Sequence, residues 1–204
     1  MGSVLEEKRD EIQAYVKGIF QASGSHGYDH VLRVTSLCEL IGAREGADMA
    51  VLIPAALLHD IARPIEEECG IPHEIEGARI AENFLREIRY DERLIPAVIH
   101  AIRAHRFSTD TTPDTHEAKI LSDADKLDAM GATGIARTFM QAGEKGRDLV
   151  DAAGHIHEKL LKLKDRMYTQ TGRELAERRH RVLADFASAL EDEMDLINPP
   201  KFVK

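Results

Sequence analysis

The chain has few cysteines and no long apolar run, and each absence excludes a class of protein. Only two of its 204 residues are cysteines, Cys38 and Cys69, and they form no CxxC pair. A disulfide framework is therefore not expected, and a reducing compartment is the simpler prediction. The longest apolar run, 49–58, is too short to span a bilayer. Because the first ten residues also lack the apolar core of a signal peptide, the sequence predicts a cytoplasmic protein without a membrane partner.

The chain also lacks an excess of basic residues. Lysine and arginine number 27 against 36 aspartates and glutamates, which gives a net charge of -9. A general nucleic-acid binder normally shows a basic face, so this balance disfavours DNA or RNA as the partner. It still permits a local basic pocket for a small phosphate compound. Apolar residues make up 43% of the chain, as in globular proteins, and the length suits a single domain over 1–204.

Apolar residues recur at steps of three and four along almost the whole chain, which is typical of helices. No convincing strand or internal repeat interrupts the pattern, so the predicted fold class is all-α. Arg63-Pro64 is expected to end one helix, and Gly131-Ala-Thr-Gly134 to interrupt another. The predicted helices cover about 3–20, 31–41, 47–62, 72–88, 92–104, 116–130, 135–141, 149–168 and 173–194.

The adjacent residues His59 and Asp60 are the most informative pair in the chain. They follow the apolar segment 50–58 directly, which predicts that they are carried into a buried place. A buried carboxylate is normally hydrogen-bonded, ion-paired or bound to a metal, because burying it alone is costly. His30 lies upstream and Asp125 downstream. Two imidazoles and two carboxylates in this order suit a catalytic divalent ion with open coordination positions.

Two carboxylates compete for the fourth ligand position. Asp123 and Asp125 are two residues apart on a predicted helix, so they point to different sides of it. The apolar residues around them do not decide which carboxylate faces the core. Asp128 follows three residues later and is a further candidate for supporting the site.

Three other histidines form a second group of candidates. His26 stands four residues before His30, His73 begins a predicted helix, and His105 ends one. They can hold phosphate oxygens, position a water or bind a second metal ion; the alternative is that they are ordinary surface histidines.

Four cations flank the motif residues. In an acidic protein such residues are candidate phosphate-binding groups, although each can equally be a surface cation. The acidic run Glu66-Glu-Glu68 is expected to be solvated, with a proton acceptor for the site as the alternative. The four cations are Arg33, Arg63, Arg106 and Lys126.

These residues together resemble the HD superfamily of metal-dependent phosphohydrolases, which is named for its paired His-Asp. The resemblance includes the segments 25–34, 55–63, 105–106 and 119–131, and extends through 157–163 and 171–176. It implies a compact HD-domain helical bundle, with the motifs in a core of about 21–131 and C-terminal helices of about 132–197 packed on it. It also implies Asp125 as the fourth ligand, which leaves Asp123 and Asp128 as supporting or surface residues.

Two departures from the superfamily disfavour particular substrates. The branch that hydrolyses guanosine tetraphosphate carries a Glu-Asp pair shortly after the His-Asp, where this chain has Arg63-Pro64. The branch that hydrolyses cyclic-di-GMP carries Gly-Tyr-Pro after a paired histidine, where this chain reads His105-Arg-Phe-Ser-Thr-Asp.

The resemblance therefore implies a metal-dependent hydrolase of a phosphoanhydride or phosphate ester, with a nucleotide as the expected small-molecule partner. The cofactor is expected to be Mn²⁺, Fe²⁺, Co²⁺, Ni²⁺ or Mg²⁺, and the histidine ligands favour a transition metal over Mg²⁺. One alternative is a non-catalytic, metal-dependent nucleotide sensor. The other is a di-iron oxygenase, for which His73 and His105 would supply extra ligands. The sequence leaves the number of ions and the oligomeric state open.

Overall fold

A computed structural model of the chain describes residues 2–20, 27–106 and 111–197, with side chains from residue 6 to residue 194. The part of the chain that it describes contains helices and no strand, so the predicted all-α class is confirmed. None of these helices is both long enough and apolar enough to cross a bilayer. The α-helices are α1 Gly2–Ile19, α2 Tyr28–Glu45, α3 Met49–Leu58, α4 Arg63–Cys69, α5 His73–Glu87, α6 Ile95–Ala104, α7 His116–Asp128, α8 Gly131–Glu144, α9 Leu149–Glu158 and α10 Gln170–Ile197. A seven-residue 3-10 segment, Leu160–Arg166, lies between α9 and α10.

The centre of the core is α3. Its residues from Val51 to Leu58 are all buried, as expected of a helix that is apolar on every side. It packs against α1, α2, α6 and α7. Asp48 begins the helix by accepting a hydrogen bond from the backbone nitrogen of Ala50, which satisfies one of the free donors of the first turn. Because α3 runs through the interior, the His-Asp pair that follows it is delivered to a buried position.

The helix predicted over 47–62 is shorter than expected, and the prediction that Arg63-Pro64 ends a helix is wrong. The α-helix ends at Leu58, four residues of turn follow, and α4 begins at Arg63 with Pro64 in its first turn. Proline fits there because the first backbone nitrogens of a helix have no intrahelical acceptor to lose. This break allows the residues after α3 to turn away from the helix axis.

Two further boundaries differ from the prediction. Gly131 has a φ of 67° and begins α8 directly, so 131–134 starts a helix instead of interrupting one. The helix predicted over 149–168 stops at Glu158 and continues as the 3-10 segment. That segment has three residues per turn, so Leu160 and Leu163 lie on the same side, and both are buried.

The C-terminal helices contact the motif-bearing helices directly. α8 packs on α7, and α10 packs on α2, α7 and α8. Asp123 joins α7 to the start of α10 by accepting hydrogen bonds from the backbone nitrogens of Tyr168 and Thr169 and from the Thr169 hydroxyl, at 2.8 to 3.1 Å. A side chain at Gly172 would collide with this carboxylate, so glycine is needed for the close approach.

Candidate metal centre

Six candidate residues from separate parts of the chain converge on one buried point. Each lies at or near the end of a helix or on an inward-facing turn, where its side chain can reach past the neighbouring backbone. They are His30 in the first turn of α2, His59 and Asp60 after α3, His73 at the start of α5, His105 after α6, and Asp125 in α7.

One oxygen of Asp60 faces two of the predicted ligands. Its Oδ2 lies 3.4 Å from Nε2 of His30 and 3.7 Å from Nε2 of His59. The two imidazole nitrogens are 3.3 Å apart, and Oδ1 of Asp125 is 3.5 Å from Nε2 of His30. The structure thus brings together all four residues that were predicted as ligands. Asp125 is the most accessible of them, with 27% of its side chain exposed on the wall of a cavity.

The surroundings of Asp60 Oδ2 indicate whether the four predicted ligands can hold a cation. Oδ2 is buried and has no hydrogen-bond partner in the part of the chain that is described. A buried carboxylate oxygen without a partner is costly. Its nearest neighbours are imidazole nitrogens, which coordinate metals in their neutral form. The donor set therefore fits a divalent ion.

The second oxygen of Asp60 faces the other two histidines. Oδ1 lies 3.2 Å from Nε2 of His73 and 3.5 Å from Nε2 of His105, and these two nitrogens are 3.3 Å apart. Oδ1 also accepts a hydrogen bond from Nε of Arg63 at 3.1 Å. Asp60 therefore stands between two pairs of imidazoles. His26, which was predicted to lie near this site, falls outside the described residues.

Backbone carbonyls hold two of the imidazoles in place. Nδ1 of His59 donates to the carbonyl of Ala56 at 2.8 Å, and Nδ1 of His105 donates to the carbonyl of Ile102 at 2.6 Å. A carbonyl oxygen can only accept, so in both rings Nδ1 carries the proton. Nε2 then presents a lone pair toward Asp60, which is the tautomer that a metal ligand requires.

Carboxylates hold the other two imidazoles. Nδ1 of His30 donates to Asp128 Oδ2 at 2.8 Å, and Nδ1 of His73 donates to Glu66 Oε2 at 2.7 Å. Carboxylates of this kind commonly orient metal-ligating histidines and make them more basic. Glu66 was expected to lie on a solvated face, so its place behind His73 is a correction to that expectation.

The charge states of His59 and Asp60 suit ligation, whereas at His30 the effect of burial is outweighed by Asp128 and Asp60, which raise its pKa. Burial lowers the pKa of His59 to about 4, so its ring is neutral near pH 7. Burial alone would raise the pKa of Asp60, but His59 and Arg63 outweigh it and hold the pKa well below the ordinary value. Neutral imidazole beside an ionised carboxylate is the combination that binds a divalent cation.

Asp128 connects the centre to two arginines. Besides His30, it accepts hydrogen bonds from Nε of Arg33 at 2.7 Å and from Nη1 of Arg137 at 2.6 Å. Arg33 also bonds Asp29, and it lines a separate surface groove on α2. The structure therefore does not bring Arg33 into the cavity beside the metal centre, and its bonds to Asp128 assign it a supporting position.

The structure separates the two competing aspartates. Asp125 points to His30, whereas Asp123 points to the start of α10 and is absent from the convergent group. Lys126, which follows Asp125, donates from Nζ to the carbonyl and the hydroxyl of Ser122 and lies 4.7 Å from the ring centre of Tyr168. Burial lowers the pKa of Lys126.

Two arginines donate hydrogen bonds to Glu66 at the edge of the metal centre. Nη1 of Arg63 donates to Oε2 of Glu66 at 3.0 Å, and Nη1 of Arg106 donates to Oε1 at 2.8 Å. Arg106 also reaches Glu74 at 3.1 Å. Carboxylates therefore hold Arg63 and Arg106 in place before a substrate binds. As a result, the two side chains lose less conformational entropy on binding.

A cavity of 370 Å³ opens beside the centre, which is within the size range of small-molecule sites. Asp125, Arg63, Arg106 and Lys126 lie on its wall. Seven basic and two acidic residues line it, against the overall charge of -9. Four of the cations lie away from the motifs and were not predicted, although Lys145 and Arg147 lie within and directly after the glycine-containing stretch 143–146; the four are Arg137, Lys145, Arg147 and Lys159.

Comparison with known proteins identifies the family. The HD domain family matches residues 27–130, a range that holds all six convergent residues. The chain belongs to the HD superfamily. Its resemblance to that superfamily is therefore confirmed.

The matching relatives include solved structures that cover nearly the whole chain. YpgQ of Bacillus subtilis, solved in complex with ADP, is 36% identical over 91% of this chain and 97% of its own, with a TM-score of 0.76. An HD-superfamily hydrolase of Bacillus thuringiensis is 33% identical over 96% of this chain and all of its own, with a TM-score of 0.74. Ribonuclease Y of Thermoanaerobacter pseudethanolicus is 33% identical over 74% of this chain, but the match covers only 27% of that enzyme.

Proposed function

We propose that this HD-superfamily protein is a metal-dependent hydrolase of phosphoanhydrides or phosphate esters, with a nucleoside triphosphate as its first candidate substrate. The observation that carries the proposal is that Oδ2 of Asp60 is buried without a hydrogen-bond partner among the described residues. It lies next to the Nε2 atoms of His30 and His59, beside a basic cavity.

His30, His59, Asp60 and Asp125 would hold the ion. When bound, a divalent ion at such a site supplies a Lewis acid for a phosphoryl oxygen and activates a water. The two histidines favour a transition metal such as Mn²⁺, Fe²⁺, Co²⁺ or Ni²⁺ over Mg²⁺, which prefers oxygen ligands.

The chain's own cations would bind the phosphate groups. Arg63 and Arg106 stand on the cavity wall and are held in place by Glu66. The planar guanidinium group binds phosphate through paired hydrogen bonds, so arginines fixed in this way can orient the substrate. Lys126 adds a third cation beside Asp125.

Two features favour a nucleotide. The cavity has the volume and the positive charge expected of a site for a phosphorylated small molecule. The relative YpgQ, which matches nearly the full chain, was solved with ADP. A nucleotide therefore stands ahead of a simple phosphomonoester.

The second oxygen of Asp60 supports a variant of this proposal with two ions. Oδ1, His73 and His105 would hold the second ion, and Glu66 would orient His73. A redox-active pair of irons at the same place would give the oxygenase alternative. Metal analysis of the purified protein distinguishes one ion from two for each protein chain.

The test is turnover of a panel of nucleotides and phosphomonoesters by protein of known metal content, with Mn²⁺, Mg²⁺, Co²⁺ and Ni²⁺ supplied separately. Phosphate and pyrophosphate are measured as distinct products. Short RNA is included because a ribonuclease Y shares this domain. We expect a nucleotide to be the best substrate. Tight nucleotide binding without product would favour the sensor, and turnover of RNA alone would contradict the small-molecule proposal.

A further inference from the structure

The end of the cavity formed around α8 and α9 carries three cations, Lys145, Arg147 and Lys159, which together form the basic wall. Lys145 and Arg147 lie between α8 and α9, and Lys159 follows the last residue of α9. All three are exposed and line the same cavity as Asp125. The cavity thus connects the basic wall with the candidate metal centre.

The basic wall differs from the other cations of the cavity in its partners. Arg63, Arg106 and Arg137 form ion pairs with carboxylates, and Lys126 bonds Ser122. Within the part of the chain that is described, the side chains of the basic wall form no ion pair and no hydrogen bond. No carboxylate of the described residues is ion-paired with them, so they are available to an anion.

His155 lines the same cavity close to the basic wall. Its half-buried ring lies on α9, and its pKa is lowered first by burial and then by the positive charges of Lys159 and Arg147. Lys145 acts in the same direction, and Glu158 opposes it only in part. Asp151 also lines the cavity. The basic residues dominate the acidic ones at this position.

The lining also favours an anion over a stacked nucleobase at this place. Among the described residues that line the cavity there is no phenylalanine, tyrosine or tryptophan. A nucleobase usually stacks on such rings, so this end of the cavity suits an anion better than a base.

We propose that the basic wall is a subsite for the phosphate groups of a polyphosphate substrate that lie farthest from the metal centre. The inference rests on the proposed function for the position of the reacting phosphate. It assigns the substrate class as a phosphate chain with more than one phosphate group. Each additional phosphate adds negative charge and acceptor oxygens that the three cations can bind. A monophosphate held at the metal centre would not need the basic wall.

The test compares two variants with the same change in net charge. The first is Lys145→Gln/Arg147→Gln/Lys159→Gln, which removes the basic wall. The matched control is Lys17→Gln/Lys162→Gln/Arg181→Gln, which removes three exposed cations outside the cavity. Thermal unfolding confirms that both variants are folded. Binding of inorganic tripolyphosphate and of orthophosphate is measured by calorimetry with the metal-loaded proteins, and phosphorus spectra confirm that the probe stays intact.

Loss of the basic wall is expected to weaken tripolyphosphate binding by about tenfold or more, as the combined effect of three exposed charge contacts. Orthophosphate binding and the control variant are expected to stay within about twofold of wild type, which is little for exposed contacts. In proton spectra of the wild type, tripolyphosphate should raise the pKa of His155, whose signal is assigned by its loss in His155→Gln. Equal weakening in the control variant, or a His155 titration that tripolyphosphate leaves unchanged, would overturn the inference.

These outcomes separate the subsite from the proposed function. Tripolyphosphate binding at the basic wall without turnover of any substrate would support the subsite and contradict the hydrolase. Turnover of nucleotides with unchanged KM in the basic-wall variant would support the hydrolase and contradict the subsite.

Discussion

The two ends of the cavity are built in opposite ways. At the metal centre, Asp60 and the histidines are almost completely buried, and every imidazole has a hydrogen-bond acceptor behind it. At the basic wall, Lys145, Arg147 and Lys159 are exposed and lack protein partners among the described residues. A buried polar group must be satisfied, whereas an exposed cation is solvated by water.

This difference has a consequence for both ends of the cavity. The geometry of the metal centre depends on individual residues and cannot tolerate the loss of one partner. The basic wall depends on summed charge, so single changes should have small effects that salt screens further.

Replacing Asp60 with Asn should nearly abolish metal retention and turnover together. The amide removes the negative charge that lies between the two pairs of imidazoles. Changes to residues that only support a metal ligand typically cost 10- to 100-fold in metal affinity, so loss of the ligand itself should cost at least about 100-fold. Metal analysis after dialysis and initial rates on the preferred nucleotide measure both effects.

Asp185→Asn is the matched control, because Asp185 is exposed on α10 and outside the cavity. It should retain wild-type metal content and rate. Wild-type metal content in Asp60→Asn would show that the ion binds elsewhere.

Replacing Glu66 with Gln should lower kcat while the first ion is retained. Glu66 holds His73, Arg63 and Arg106 at once. With a neutral amide, the two arginines lose a charged partner and the His73 ring is less firmly oriented. A fall in rate of about 10- to 100-fold is expected, as for other residues that support a site.

Glu67→Gln changes the same chemical group one residue later, at an exposed position. It should leave the rate unchanged. If Glu66→Gln instead loses half of the bound metal, the two-ion variant with His73 as a ligand is favoured.

The convergence of His30, His59, Asp60 and Asp125 could be expected from the sequence, because the motifs that carry these residues are recognisable by their spacing. The apolar helix α3 predicted a buried His-Asp pair, and the structure places that pair in the core beside His30 and Asp125. Periodicity could not choose between Asp123 and Asp125, because both lie on a helix that is buried on several sides. The choice depends on which side packs against α10, and that contact is made by residues far along the chain.

The basic wall could not be predicted in the same way. Lys145, Arg147 and Lys159 are spread over fifteen positions, and nothing in their spacing marks them as neighbours. They line one cavity because α8 and α9 pack against each other, and the helix pattern over 149–168 does not reveal that α9 ends at Glu158. Arg33 shows the converse: it is next to a motif in sequence but points to Asp128.

Replacing Gly134 with Ala should destabilise the protein by about 1–3 kcal/mol, the usual cost of overpacking. Gly134 lies in α8 on the cavity wall, where an added Cβ would collide with the carbonyl of Ala129. Relief of that collision would move α8 away from α7. Urea unfolding measures the free energy of unfolding of each variant.

Gly154→Ala provides the contrast within α9, because an added Cβ there meets nothing within 4 Å. It should stabilise the protein by about 0.5–1 kcal/mol through the better helix propensity of alanine. Equal effects of the two changes would show that α8 is not packed as closely as the structure indicates.

Replacing Tyr90 with Phe should have the smallest effect, and one that depends on pH. Its hydroxyl donates to the carbonyl of Ala50 in the first turn of α3 at 2.6 Å. The variant should therefore lose about 1 kcal/mol of its free energy of unfolding near pH 8.

Burial, followed by Asp48 and Asp91, raises the pKa of Tyr90 to about 12. Because the folded-state pKa lies above that of the unfolded chain, about 10, Tyr90 keeps its full contribution below about pH 10 and loses it as the pH rises toward 12. The advantage of the wild type over Tyr90→Phe should therefore shrink by about 1.4 kcal/mol per pH unit above 10 and vanish near pH 11, as measured by urea unfolding from pH 8 to 11. The other tyrosines are common to both proteins and cancel in this difference. A difference that stays constant over this range would mean that the Tyr90 hydroxyl is solvated, and that the hydrogen bond does not hold the helix that carries His59 and Asp60.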